Sequence, residues 1–179
     1  MPRIPFGVAF VAALVALCAT MARAEVPIRL DLARDWRHAD DMAALVSSLD
    51  DWLDVQSDWP RREKAPDVRF VSLRKAETRR GATASLQKGR LRGLYDPDRA
   101  EILLTTPWDP GDAQDVSVLL HELVHHRQAP HPWYCPAAQE LPAYRLQDAW
   151  LQEQGLRANV NWLAVVLDAG CTRRDIHPD

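Results

Sequence analysis

Two histidines and a glutamate stand close together in the run His121-Glu122-Leu123-Val124-His125. The pattern H-E-x-x-H carries a definite chemistry only on a helix. There, side chains four residues apart lie on one face, one turn from each other, so both imidazoles can bind one ion. Glu122 falls about 100° round from His121. From there it reaches a water beside the ion but is poorly placed to bind the ion itself. Val116, Leu119, Leu120, Leu123 and Val124 form an apolar stripe on the opposite side. Such a helix buries one face in a core and presents the other to a site.

A catalytic zinc keeps three protein ligands and one open position, so a third ligand is required. His131 lies six residues after His125, the spacing of the metzincin signature H-E-x-x-H-x-x-G-x-x-H. Gln128, however, stands where that signature has its turning glycine, and no methionine follows Met42 to supply the Met-turn. His131 is therefore read as a loop residue. His126, about 100° from His125 on a helix, is a supporting donor or has no part in the site. Glu140 is the stronger third ligand, because it is the one acid between Arg127 and Gln147 and begins the next helical pattern. The competing reading makes it a helix cap stabilised by the N-terminal dipole. Tyr144, one turn further on, either donates to an oxyanion or is a buried structural tyrosine.

The elements that must position these groups follow from periodicity. Met42, Leu45, Val46, Leu49, Trp52 and Leu53 recur at spacings of three and four, which predicts an amphipathic helix over about 40–55. A polar break over Asp58–Pro66 follows, then alternation over Val68–Leu73 predicts a strand. The basic stretch Arg74–Arg92 reads as a solvated loop. Leu91–Tyr95 and Ala100–Thr105, separated by an Asp-Pro turn, predict a β-hairpin. Asp112 or Asp115 caps the helix that carries the histidines, and helical patterns resume over about 141–154 and 159–168. The order implies an α+β domain with a small, mostly antiparallel sheet packed against helices.

Residues 1–24 read as a secretory signal peptide: Arg3, then sixteen uncharged, mostly apolar residues from Phe6 to Met21, then Ala22-Arg23-Ala24. The run is too short for a membrane span. Cys18 is preceded by Leu17 where a lipoprotein signal needs a small residue. The expectation is a soluble exported protein, periplasmic or secreted, with residues 25–179 forming a single domain. That mature part holds 20 basic against 25 acidic residues, which gives no basis for a nucleic-acid partner. Its two cysteines, Cys135 and Cys171, are expected to form a disulfide in an oxidising compartment.

A helix, a loop and a second helix that returns a glutamate to the ion resemble the arrangement of gluzincins. Beyond those two helices, His121-Glu122-Leu123-Val124-His125-His126 with Glu140, Ala143-Tyr144, Leu146-Gln147 and Trp150-Leu151 is similar to a group of small exported bacterial proteins of unknown function with a zincin-like core. Pro142 fits that arrangement only if the second helix starts at Glu140. The resemblance implies zinc on His121, His125 and Glu140, with Glu122 taking the proton of the attacking water. It also implies that an edge strand, here expected at Glu101–Thr105, pairs with an extended peptide substrate. Peptide-bond hydrolysis is the leading expectation. The alternative is a non-catalytic exported binding module whose zinc is structural, with His126 or His131 closing the fourth position. Glu122 favours the enzyme, because a structural site has no use for it.

Overall fold

The computed structural model describes residues 36–80, 90–133 and 135–171. The expected signal peptide lies outside them. The described residues form five α-helices and three strands: α1 Met42–Gln56, β1 Asp67–Val71, α2 Leu73–Arg80, β2 Gly93–Asp96, β3 Glu101–Thr105, α3 Ala113–Gln128, α4 Glu140–Glu153 and α5 Trp162–Ala169. Among them, no helix is long and apolar enough to cross a membrane.

The α+β class is as the periodicities imply, and the sheet is mixed. Its order is β1-β3-β2, with β1 parallel to β3 and β2 antiparallel to it. This corrects two expectations. β3 is the central strand, paired on both sides, so Glu101–Thr105 is not the expected edge strand; β1 and β2 are the outer strands. All five residues of β3 are buried, as an interior strand requires. The stretch after β1 is also not wholly loop, because α2 forms at its start. Leu73–Arg80 contains no glycine or proline and is rich in helix-forming Leu, Arg, Lys, Ala and Glu. Residues 81–89 lie outside the described part.

Packing follows the strand period of two. Ile102 and Leu104 face the main core with α1, α3 and α4, while Leu103 joins Val71 and Ala76 on the other face. α2 covers that second face through Ala76, and Arg79 ties it down by reaching Asp96 at 2.6 Å. α1 contributes Leu45, Leu49, Trp52 and Leu53 to the core, and α3 contributes Val116, Leu119, Leu120, Leu123 and Val124. At about 1.5–3 kcal/mol for each fully buried large apolar side chain, this stripe is the main force seating α3. Both helices start on an aspartate whose side chain accepts a backbone N–H: Asp41 from Ala44 and Asp112 from Gln114, each at 2.8 Å.

Candidate metal centre

α3 places the H-E-x-x-H residues where helical geometry requires. His121 and Glu122 are buried and His125 is half-buried. The two rings meet edge to face, with centroids 4.7 Å apart and their Nε2 atoms 3.0 Å apart. α4 starts at Glu140, so Pro142 falls in its first turn, where the missing N–H costs no helical bond. The Glu140 carboxylate turns to both histidines: Oε2 is 3.3 Å from His121 Nε2 and Oε1 is 3.5 Å from His125 Nε2. Ligands held tetrahedrally at the usual zinc–nitrogen and zinc–oxygen lengths stand about 3.3 Å apart. The three separations bracket that value, so the donor set fits zinc in both chemistry and spacing. Among the described residues these three form the one group of His, Cys, Asp or Glu that could hold an ion.

Charge and burial act strongly here. Burial works against a charge on Glu140, yet the neighbouring His125 and His121 hold its carboxyl well below the usual range. His125 shows the reciprocal effect. Burial lowers its affinity for a proton, but the charge and hydrogen bond of Glu140, then Glu122 and Gln128, outweigh this and raise it to about 9.

Glu122 lies against β2. The Tyr95 N–H donates to its carboxylate, and burial raises its pKa against the opposing charges of His121 and His125. The contact depends on Gly93. A Cβ there would meet Glu122 Oε1 at 2.6 Å and Val118 Cγ1 at 2.8 Å, so only glycine lets the strand come this close. Thr105 N donates to Arg92 O. Antiparallel pairs alternate, so the Gly93 and Tyr95 backbone groups point away from β3.

Tyr144 packs on His121 with centroids 4.4 Å apart. Burial, then the Glu140 and Glu122 charges, push its phenol up, so it stays a donor. His126 turns away from the centre: one ring nitrogen contacts the Lys64 carbonyl at 3.0 Å and the other the Tyr95 hydroxyl at 3.1 Å. Burial foremost lowers its pKa. His131 is exposed in the loop after α3. The expected disulfide joins Cys135, before the 3-10 turn Pro136–Gln139 that leads into Glu140, to Cys171 beyond α5.

A family described as a domain of unknown function (DUF6647) matches residues 38–179. The chain belongs to that family. Its matched region contains all of α1–α5, β1–β3 and the three converging residues. No curated protein and no solved structure matches the chain.

The structure brings together His121, Glu122, His125, Glu140 and Tyr144 and leaves His126 and His131 apart. Sequence reasoning missed Gly93, Tyr95 and Gln128. The first two carry no local signal, because their role arises when the hairpin docks on α3. Gln128 did carry one: it lies three residues after His125, on the same helical face.

Proposed function

We propose that this DUF6647 chain is an exported zinc-dependent hydrolase of the metallopeptidase type, acting on peptide bonds. The observation that carries the reading is the convergence of His121, His125 and Glu140 with the Glu122 carboxylate beside them. Three protein ligands are the donor set of a catalytic zinc, whereas structural sites use four. His126, one of the two residues that could make a fourth, contacts the Lys64 carbonyl and the Tyr95 hydroxyl, and the other, exposed His131, lies outside the converging group.

Zinc, when bound, supplies Lewis-acid polarisation of a carbonyl and acidifies water. The chain's own residues supply the rest. Glu122 accepts a proton at its carboxylate and returns it to the leaving amine; its raised proton affinity brings it toward the range of a working general base. The Tyr95 N–H fixes the direction in which that carboxylate points. Tyr144 keeps its phenolic proton and is the donor for an oxyanion beside His121. β2, like β1, is an outer strand of the described sheet, and it is the one beside Glu122, so its edge is where an extended peptide would pair by main-chain hydrogen bonds.

The purified protein is expected to hold about one zinc per chain and to cleave members of a peptide library. Glu122→Gln keeps the zinc and loses roughly 10²–10⁴-fold in hydrolysis. A Gln variant that cleaves as fast as the parent would overturn the proposal. Absence of cleavage in a zinc-loaded parent would turn the reading toward the binding module.

A further inference from the structure

We infer that Gln128 is a positioning residue for the metal centre: its buried amide holds His125 with Nε2 toward the other ligands and ties that ring to the peptide leading into Glu140. Gln128 Nε2 lies 3.3 Å from the Gln139 carbonyl oxygen. A carbonyl only accepts, so the atom facing it is the NH₂ group, and this fixes which end of the amide is oxygen. That oxygen lies 2.9 Å from His125 Nδ1. An amide oxygen cannot donate, so Nδ1 carries the proton and its lone pair is not available to an ion. In the neutral ring the lone pair then belongs to Nε2, the atom facing His121 and Glu140.

Metal-bound histidines commonly donate their second nitrogen to a carboxylate, a backbone carbonyl or water, which sets ring orientation and basicity. Gln128 fills that place with a neutral side chain. Because it is an amide, it also donates, which no carboxylate could do. Its donor goes to Gln139, the residue before Glu140. One fully buried side chain at the last position of α3 therefore links a ligand of α3 to the residue that introduces the ligand of α4. His121 has no such support: its Nδ1 is buried with no hydrogen-bond partner among the described residues, and its ring is held by contact with Tyr144. Sensitivity to an outer partner is thus concentrated on His125.

This inference rests on the metal-site reading and not on hydrolysis, so its test measures zinc. Zinc affinity of the full mature chain is read by competition with a chelator for the parent, Gln128→Met and Gln128→Glu, alongside thermal unfolding of each without metal. Gln128→Met keeps the bulk, removes both hydrogen bonds and is expected to bind zinc about 10–100-fold more weakly. Gln128→Glu restores the acceptor for His125 Nδ1 and is expected to regain at least tenfold over Met. A residue that merely filled space would show the opposite order, since a buried carboxylate is less tolerated than a thioether. In a His125→Ala background, Gln128→Met should change zinc affinity by less than threefold. Parental affinity in Gln128→Met, or no advantage of Glu over Met, overturns the inference. If Gln128→Met does not fold without metal, Gln128→Glu is compared with the parent, and a loss of tenfold or more there overturns it. A parent that binds no zinc defeats the metal reading itself, a result distinct from all of these.

Discussion

The two halves of the candidate metal centre are built in opposite ways. His121 and His125 stand on α3, whose stripe of Val116, Leu119, Leu120, Leu123 and Val124 is wholly buried in the core. Arg127, near the end of the same helix, is 1% exposed and bonds Asp50 Oδ1 through Nε and Nη2 at 2.9 and 2.8 Å. Glu140 reaches the site at the end of a loop and a 3-10 turn, with its side chain 39% exposed. The cystine Cys135–Cys171 anchors that approach. Core packing fixes two of the proposed ligands, whereas the third depends on a loop whose ordering has an entropic cost of about 1–2 kcal/mol per residue. A bound ion and a disulfide would therefore act on the same half.

The largest effect is expected where the rigid half is undone. Arg127→Met removes a guanidinium that also satisfies the Asp50 and Trp59 carbonyls and Asp54 Oδ1. It leaves Asp50, 6% exposed, as an uncompensated buried carboxylate. Losing one partner of a buried pair costs about 3–5 kcal/mol. Urea unfolding should show that loss, while the extra stability conferred by added zinc stays as in the parent. A loss below about 1 kcal/mol would mean that this anchor does not hold α3.

Removing the cystine should act on the other half. Cys135→Ser with Cys171→Ser opens a cross-link spanning 36 residues. The expected cost without metal is about 2–4 kcal/mol. The cystine ends at Cys135, in the segment that leads to Glu140, so an ion held by Glu140 would restrain the same approach, and saturating zinc should recover part of the loss in this variant and none of it in Arg127→Met. Unfolding midpoints of both variants with and without zinc decide the matter. Equal recovery in the two would erase the distinction between the halves.

The same contrast explains what could be read from the chain alone. The proximity of His121 and His125 was legible because a helix converts a spacing of four into proximity, and the apolar stripe says the helix is there. Glu140 was legible from the absence of competing acids and from Pro142, which forces a helix start. The sheet was less so. Ile102-Leu103-Leu104 is an unbroken apolar run, the mark of a strand covered on both faces, yet pairing on both sides of β3 depends on β1 returning parallel through α2. α2 itself has a sequence dominated by charge, and one buried residue, Ala76, seats it. Periodicity cannot detect a helix with so narrow a buried face. Gly93 and Tyr95 lay beyond reach for another reason: their function is an approach between a strand and a helix, and no spacing within either encodes it.

The smallest expected effect, taken per pH unit, is a dependence on pH that runs in opposite directions with and without metal. In the metal-free chain His125 keeps its proton up to about 9, because Glu140 and the other neighbours outweigh burial. A histidine in the unfolded chain releases its proton near 6.5. The raised value therefore stabilises the metal-free fold fully below about pH 6.5, and this contribution fades as pH rises toward 9. Zinc must displace that proton, so its affinity should climb by about tenfold per pH unit over the same interval and level off above it. Thermal unfolding at pH 6, 7.5 and 9 should thus show metal-free stability falling while the increment from zinc grows. A zinc affinity that stays flat across this range would show that His125 gives up no proton to the ion, and the half of the site built on α3 would lose one of its two ligands.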